Sequence, residues 1–287
     1  MKVPPTSRLT TLIVVGLLVA AHAWVVRAEV SPPGPRELAS IAVGQSQIHI
    51  AREHGALEVS DADLIAWIRR SGVVVAGYFG RFPIPKLSLK VHTSSGKGTR
   101  TGNMKGWGEM PQINVWVGER SSREDLRRDW IMVHEMAHTA FPDVHDRHHW
   151  VEEGLAVYVE SLARMQAGDL TEAHVWGEFA SRMHHGLPKF GDQGLDRTST
   201  WGRTYWGGAL FLFLADMEIR RKTENRAGLG TVLRGILDAG YDARRRASLV
   251  EVFEAGDRAT RAADRGPEHG CGRRGLGVGF QRHAGVC

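Results

Sequence analysis

Two stretches decide how this chain reads: Trp130-Ile131-Met132-Val133-His134-Glu135-Met136-Ala137-His138, and after it Trp150-Val151-Glu152-Glu153-Gly154-Leu155-Ala156-Val157-Tyr158. In the first, His134 and His138 stand four residues apart, about one turn of α-helix. Both imidazoles therefore leave the same face and can share one tetrahedral Zn²⁺, one ion per chain. Glu135 projects beside them, where a carboxylate can take a proton from a metal-activated water. A His-Glu-x-x-His spacing arises by chance about 0.04 times in a chain of this composition. The setting adds weight, because Leu126, Trp130, Val133, Ala137 and Ala140 make an apolar face that buries the helix and leaves the histidines at its edge. Ser121-Ser122-Arg123-Glu124 has capping-box spacing with Ser121 as N-cap, so the helix is expected from about Ser122 to Ala140, with Pro142 ending it.

Two histidines leave the metal short of a protein ligand. Phe141 and Val144 occupy the positions where another group of zinc proteases carries Gly and a third His, so His145, His148 and His149 read as polar loop residues. The better source is the second stretch, whose apolar positions Val151, Leu155, Tyr158 and Leu162 can pack its helix back on the first.

A His-Glu-x-x-His helix followed by a Trp-x-x-Glu-Gly-x-Ala helix resembles the gluzincin metallopeptidases, in particular the catalytic domains of the M1 and M61 aminopeptidase families. The resemblance implies a zincin-like α+β fold, with the Glu before the Gly as third zinc ligand: Glu153 here, with Glu152 as its competitor. Fourteen residues separate His138 from Glu153, fewer than in the M1 pattern. Glu160, two turns on, reads as a helix-pairing carboxylate. Thr204-Tyr205-Trp206-Gly207-Gly208-Ala209-Leu210 is similar to the Tyr-x-Lys-Gly-Ala segment of the same families. That similarity implies that the Tyr205 hydroxyl stabilises the oxyanion; the alternative is a packed tyrosine. Gly207 replaces the usual Lys. Asp216 and Arg220, four apart, are expected to pair. Glu109 precedes the strand Ile113–Val117, which alternates apolar and polar residues and is expected to offer an edge to an extended peptide. Glu109 is a candidate for holding a substrate α-amine, or simply a loop carboxylate.

The rest of the chain frames this site. Leu87, Leu89 and Val91 alternate with polar residues as another strand, and Ser94 to Gly108 is expected to be a Gly-rich loop. Helices are expected from Ser60 to about Gly80 and over about 150–166, 171–184, 204–222 and 229–239. Of 287 residues, 42% are hydrophobic and 24% charged, with 34 Gly and 11 Pro, which excludes collagen, coiled coil and global disorder. The formal charge of +5 is concentrated at the ends. Residues 1–28 hold Lys2, Arg8 and Arg27 without an acid, and 257–287 hold an excess of Arg, so the body is nearly neutral and a nucleic-acid partner is excluded.

Residues 1–28 read as a signal peptide or a membrane anchor, since Leu9 to Val26 contains no Asp, Glu, Lys or Arg. Residues 29–256 form the expected metallopeptidase domain: a small mixed sheet, an active-site helix and a helical C-terminal half. Residues 257–287, rich in Gly and Arg, are expected to be a disordered tail, in which Cys271 and Cys287 could form a disulfide. The reading is therefore an exported zinc metallopeptidase, periplasmic or secreted or held at the membrane, that acts on a peptide or protein. Two rivals share the fold: a catalytically silent zinc-containing scaffold, disfavoured by the retained Glu135, and a hydrolase of cell-wall peptides.

Overall fold

Ile48 and Ile50 alternate with polar residues in β2 (Ser46–Arg52), and this period of two buries them against the sheet's neighbours while the polar residues face outward. β2 forms a hairpin with β1 (Arg36–Val43) through a two-residue turn in which Gly44 takes φ +59, a conformation that glycine reaches without a Cβ clash. The computed structural model describes residues 35–265 apart from His54, Gly106 and Trp107. The proposed signal or anchor at 1–28 and the pair Cys271 and Cys287 lie outside the described residues.

The two expected strands are present as β3 (Lys86–Ser94) and β5 (Gln112–Gly118). The segment expected to be a Gly-rich loop instead contains a fifth strand, β4 (Thr99–Lys105). The sheet order is β1-β2-β3-β5-β4, with β2, β3 and β5 parallel and both outer pairs antiparallel, so the sheet is mixed. β5 therefore lies between β3 and β4 and is not an edge; the edge on that side is β4. Its polar sequence Thr-Arg-Thr-Gly-Asn-Met-Lys lacks an apolar alternation because it has no second neighbour to bury it.

Helix α1 (Asp61–Phe79) packs across the sheet through Leu64, Trp67, Ile68, Val75 and Phe79, with Ser60 capping its start and Gly80 in the left-handed region at its end. The expected helix from Ser122 to Ala140 is broken into three pieces. α2 (Arg123–Arg127) is capped by Ser122 rather than Ser121, with Asp125 rather than Glu124 reaching back. Ser121 instead donates to the Gly118 carbonyl and is buried, while Glu124 pairs with Arg127 and Arg128. Asp129 then accepts from the backbone N–H groups of Ile131 and Met132, stopping one helix and starting the next. α3 (Ile131–Ala137) is followed by a 3₁₀ turn, His138–Ala140.

The helical half comprises α4 (His149–Gln166), α5 (Glu172–Arg182), a π-helical turn (Gly202–Gly207), α6 (Gly208–Lys222), α7 (Leu229–Asp238) and α8 (Leu249–Arg265). α4 and the start of α6 touch backbone to backbone at Gly154 and Gly208: a Cβ on Gly154 would stand 2.3 Å from the Gly208 carbonyl carbon. Asp216 then ties three helices together, accepting from Tyr158 of α4, Arg220 of α6 and the Leu229 N–H of α7. The expected Asp216–Arg220 pair is thus present within a larger junction. α8 also corrects the expected domain end. Asp257 and Thr260 are buried within it, so ordered structure continues through residues 257–265 of the supposed tail. Among the described residues, no helix is long and apolar enough to cross a membrane.

Candidate active site

His134 sits mid-α3 and His138 one turn on, and α4 crosses behind them so that Glu153 faces both rings. Glu153 Oε2 is 3.2 Å from His134 Nε2 and 3.7 Å from His138 Nε2. The two imidazoles stand nearly perpendicular, 82°, at 5.0 Å between centroids. Ligands at zinc-bond lengths of about 2.0–2.2 Å occupy tetrahedron corners roughly 3.3–3.6 Å apart, and the observed separations straddle that span. Two nitrogens and one carboxylate that leave a fourth corner free are the donor set of a catalytic rather than a structural zinc site. All three residues are buried, and together they are the one group among the described residues able to hold a metal.

The electrostatics favour the ligating forms. Burial pushes His138 down to about 4, so its imidazole is neutral and its lone pair available near neutral pH. Burial alone would raise the Glu153 carboxyl, but hydrogen bonds with His134 and His149 outweigh it and hold the group below the usual carboxylate range. His149 reaches Glu153 Oε1 at 3.3 Å and Glu152 at 3.4 Å, and these bonds push its ring up to about 10. Its cation thus holds Glu153 Oε1, the oxygen not shared with His134 and His138. His149, expected from the sequence to be a polar loop residue, instead opens α4, and its i, i+4 spacing to Glu153 was the available signal. Glu152 turns away, accepting from the Val144 N–H. Glu160 pairs with Arg164, as a helix-pairing carboxylate should.

Glu135 is buried at 6% exposure beneath the edge strand β4. A Cβ on Gly102 would stand 2.5 Å from Glu135 Cγ, so only glycine lets the strand pass this close. The carboxyl accepts a hydrogen bond from the Met104 backbone, yet burial, reinforced by Glu153, pushes it up to about 7. A carboxyl poised there can both accept and return a proton near neutral pH. Tyr205 stacks on His134 at 6.4 Å and 17°, within the π-helical turn that precedes α6, and hydrogen-bonds to Glu153. Burial pushes its hydroxyl up to about 12, so it stays a proton donor to hydrogen bonds. Glu109 is exposed and is not among the residues gathered here.

No family model matches the chain, and no curated protein matches it. Solved structures do. An aminopeptidase N family protein from Idiomarina loihiensis aligns with a TM-score of 0.52 at 12% identity, covering 72% of this chain and 42% of that one. An M1 zinc metallopeptidase from Deinococcus radiodurans aligns at 0.50 with 18% identity, covering 81% and 50%. Native yeast LTA4 hydrolase aligns at 0.51 with 13% identity, covering 84% and 40%. The chain thus spans half or less of the length of these proteins. The similarity shows the fold: the zincin-like catalytic-domain fold of the M1 peptidases, carrying an intact His-His-Glu group.

Proposed function

We propose that this chain is a zinc-dependent metallopeptidase that hydrolyses peptide bonds. The observation that carries the reading is the convergence of His134, His138 and Glu153 on one point, with the Glu135 carboxyl buried beside it under β4. Zinc, when bound, would supply Lewis acidity towards a water and a substrate carbonyl. Glu135 takes the proton from the attacking water and returns it to the departing amine. The Tyr205 hydroxyl, whose present partner is Glu153, donates to the carbonyl oxygen as that oxygen becomes negative. His149 holds Glu153 in place throughout.

The uncharged segment Leu9–Val26 supports export, to the periplasm or beyond, or attachment to a membrane. The substrate class, peptide or protein, is supported by the likeness in fold to the M1 peptidases. One experiment tests the reading: metal content and digestion of a mixed peptide library by the purified chain, wild type against Glu135→Gln. The variant keeps both histidines and the shape of the carboxylate, so zinc should stay while hydrolysis falls at least about 10²-fold. Zinc bound without any cleavage by the wild type would assign the chain to the silent scaffold class instead.

A further inference from the structure

A cavity of about 590 Å³ opens on the His134 side of the site, and His134 and Tyr205 line both it and the site. Its size falls within the range of small-molecule and side-chain recognition pockets. One side is a run of rings. Trp201 stacks with Tyr205 at 6.5 Å, Tyr205 with His134 at 6.4 Å, and Trp130 meets His134 edge-on at 5.4 Å. The two outer members are wet: Trp201 is 56% and Trp130 49% exposed, whereas Trp206 in the same wall is 6% exposed. Tryptophan left in water forgoes burial of one of the largest apolar surfaces available to a side chain.

The charged side chains around this cavity have ion-pair partners, although Arg127 and Arg128 share the one carboxylate of Glu124. Glu160 and Arg164 close it with a buried ion pair, 7% and 10% exposed, to which Ser161 donates. Arg182 pairs with Glu178, and Arg127 with Glu124. A charged substrate group would compete with pairs already made. A small side chain would leave the tryptophan faces hydrated. A large aromatic ring covers them and gains offset or edge-on ring contacts as well.

We infer that this cavity is the recognition pocket for a large aromatic side chain flanking the scissile bond, with Trp201 and Trp130 determining that specificity. The inference rests on the peptidase reading, since it takes the cavity's continuity with His134 and Tyr205 as continuity with the reacting centre. Burying a phenylalanine-sized side chain is worth roughly ten- to hundredfold in affinity, which sets the scale of the discrimination.

The test uses the full, zinc-loaded chain in two assays. In the first, cut positions in a peptide library are read by mass spectrometry, followed by kcat/KM for matched peptides with Phe or Ala at the preferred position. In the second, binding of phenylalanine hydroxamate and alanine hydroxamate is measured by calorimetry, which needs no turnover. Expected is at least a tenfold advantage for Phe in both, reduced severalfold in Trp201→Ala and in Trp130→Ala. Trp176→Ala, 42% exposed on α5 and outside the cavity, should leave the ratio intact and controls for loss of a surface tryptophan. Melting temperatures of all three variants separate misfolding from altered specificity. Cleavage with equal hydroxamate binding, or a preference for small or charged residues, overturns the pocket and leaves the peptidase reading standing. Ranked hydroxamates without cleavage overturn the peptidase reading and with it the pocket's place beside a scissile bond, leaving an aromatic-binding cavity. Failure of both hydroxamates to bind overturns both.

Discussion

Gly154→Ala probes the contact that brings the ligand Glu153 and the donor Tyr205 into one site. The added Cβ would meet the Gly208 carbonyl carbon at 2.3 Å, its Cα at 2.4 Å and the Ala209 nitrogen at 2.6 Å. All three are backbone atoms, so no side chain can swing aside and α4 and α6 must separate. Overpacking of this kind typically costs about 1–3 kcal/mol, and rigid backbone on the far side places the cost near the top of that range. At roughly 2–4 °C per kcal/mol for a domain of this size, the melting temperature should fall by about 6–12 °C. Gly177→Ala on α5 is the matched control, because a Cβ there meets nothing within 4 Å. It should gain about 0.8–1.0 kcal/mol of helix propensity and melt slightly higher. The assay is thermal unfolding by circular dichroism of both variants with zinc present, together with zinc titration of the folded proteins. Gly154→Ala should also bind zinc more weakly, since Glu153 is its neighbour. A Gly154→Ala protein that melts no lower than wild type would refute the reasoning, and equal losses in both variants would show that the contact is not what matters.

Removing a ligand should remove the metal: His134→Ala and Glu153→Ala are each expected to lose zinc by elemental analysis, and full retention in Glu153→Ala would withdraw that residue from the ligand set. His149→Gln deletes the cation behind Glu153, and zinc affinity measured by competition with a chelator should fall about 10–100-fold; unchanged affinity would reduce His149 to a surface ion pair. Tyr205→Phe should leave zinc content, melting temperature and KM nearly unchanged while kcat falls roughly 10²–10³-fold, the signature of a donor used only in the transition state. A lower melting temperature with unaltered kcat per folded molecule would make Tyr205 a packing residue.

The legible parts of this protein were those encoded by short-range periodicity. His134, Glu135 and His138 lie within one turn, so helix geometry alone places them together. β3 was readable because Leu87, Leu89 and Val91 are all fully buried and alternate strictly. β2 carried the same signal in Ile48 and Ile50 over a shorter run, and it went unread. The break at Asp129 was hidden because apolar spacing continues across it; a side chain that captures two backbone N–H groups interrupts a helix without disturbing its pattern.

By itself, then, the sequence placed His134, Glu135 and His138 on one turn and, through the resemblance that the Glu-Gly pair carries, pointed to Glu153 as the third member of the group able to hold a metal. What only the tertiary structure decided is everything that depends on approach between distant segments. Gly154 against Gly208 sets the distance between Glu153 and Tyr205, Gly102 lets the edge strand lie over Glu135 and desolvate it, and Trp130 and Trp201 become the two ends of one aromatic wall although far apart in the chain. The physical reason is the same in each case. Periodicity reports which face of an element is buried, whereas the partner that buries it, and how closely, is settled only when the elements pack.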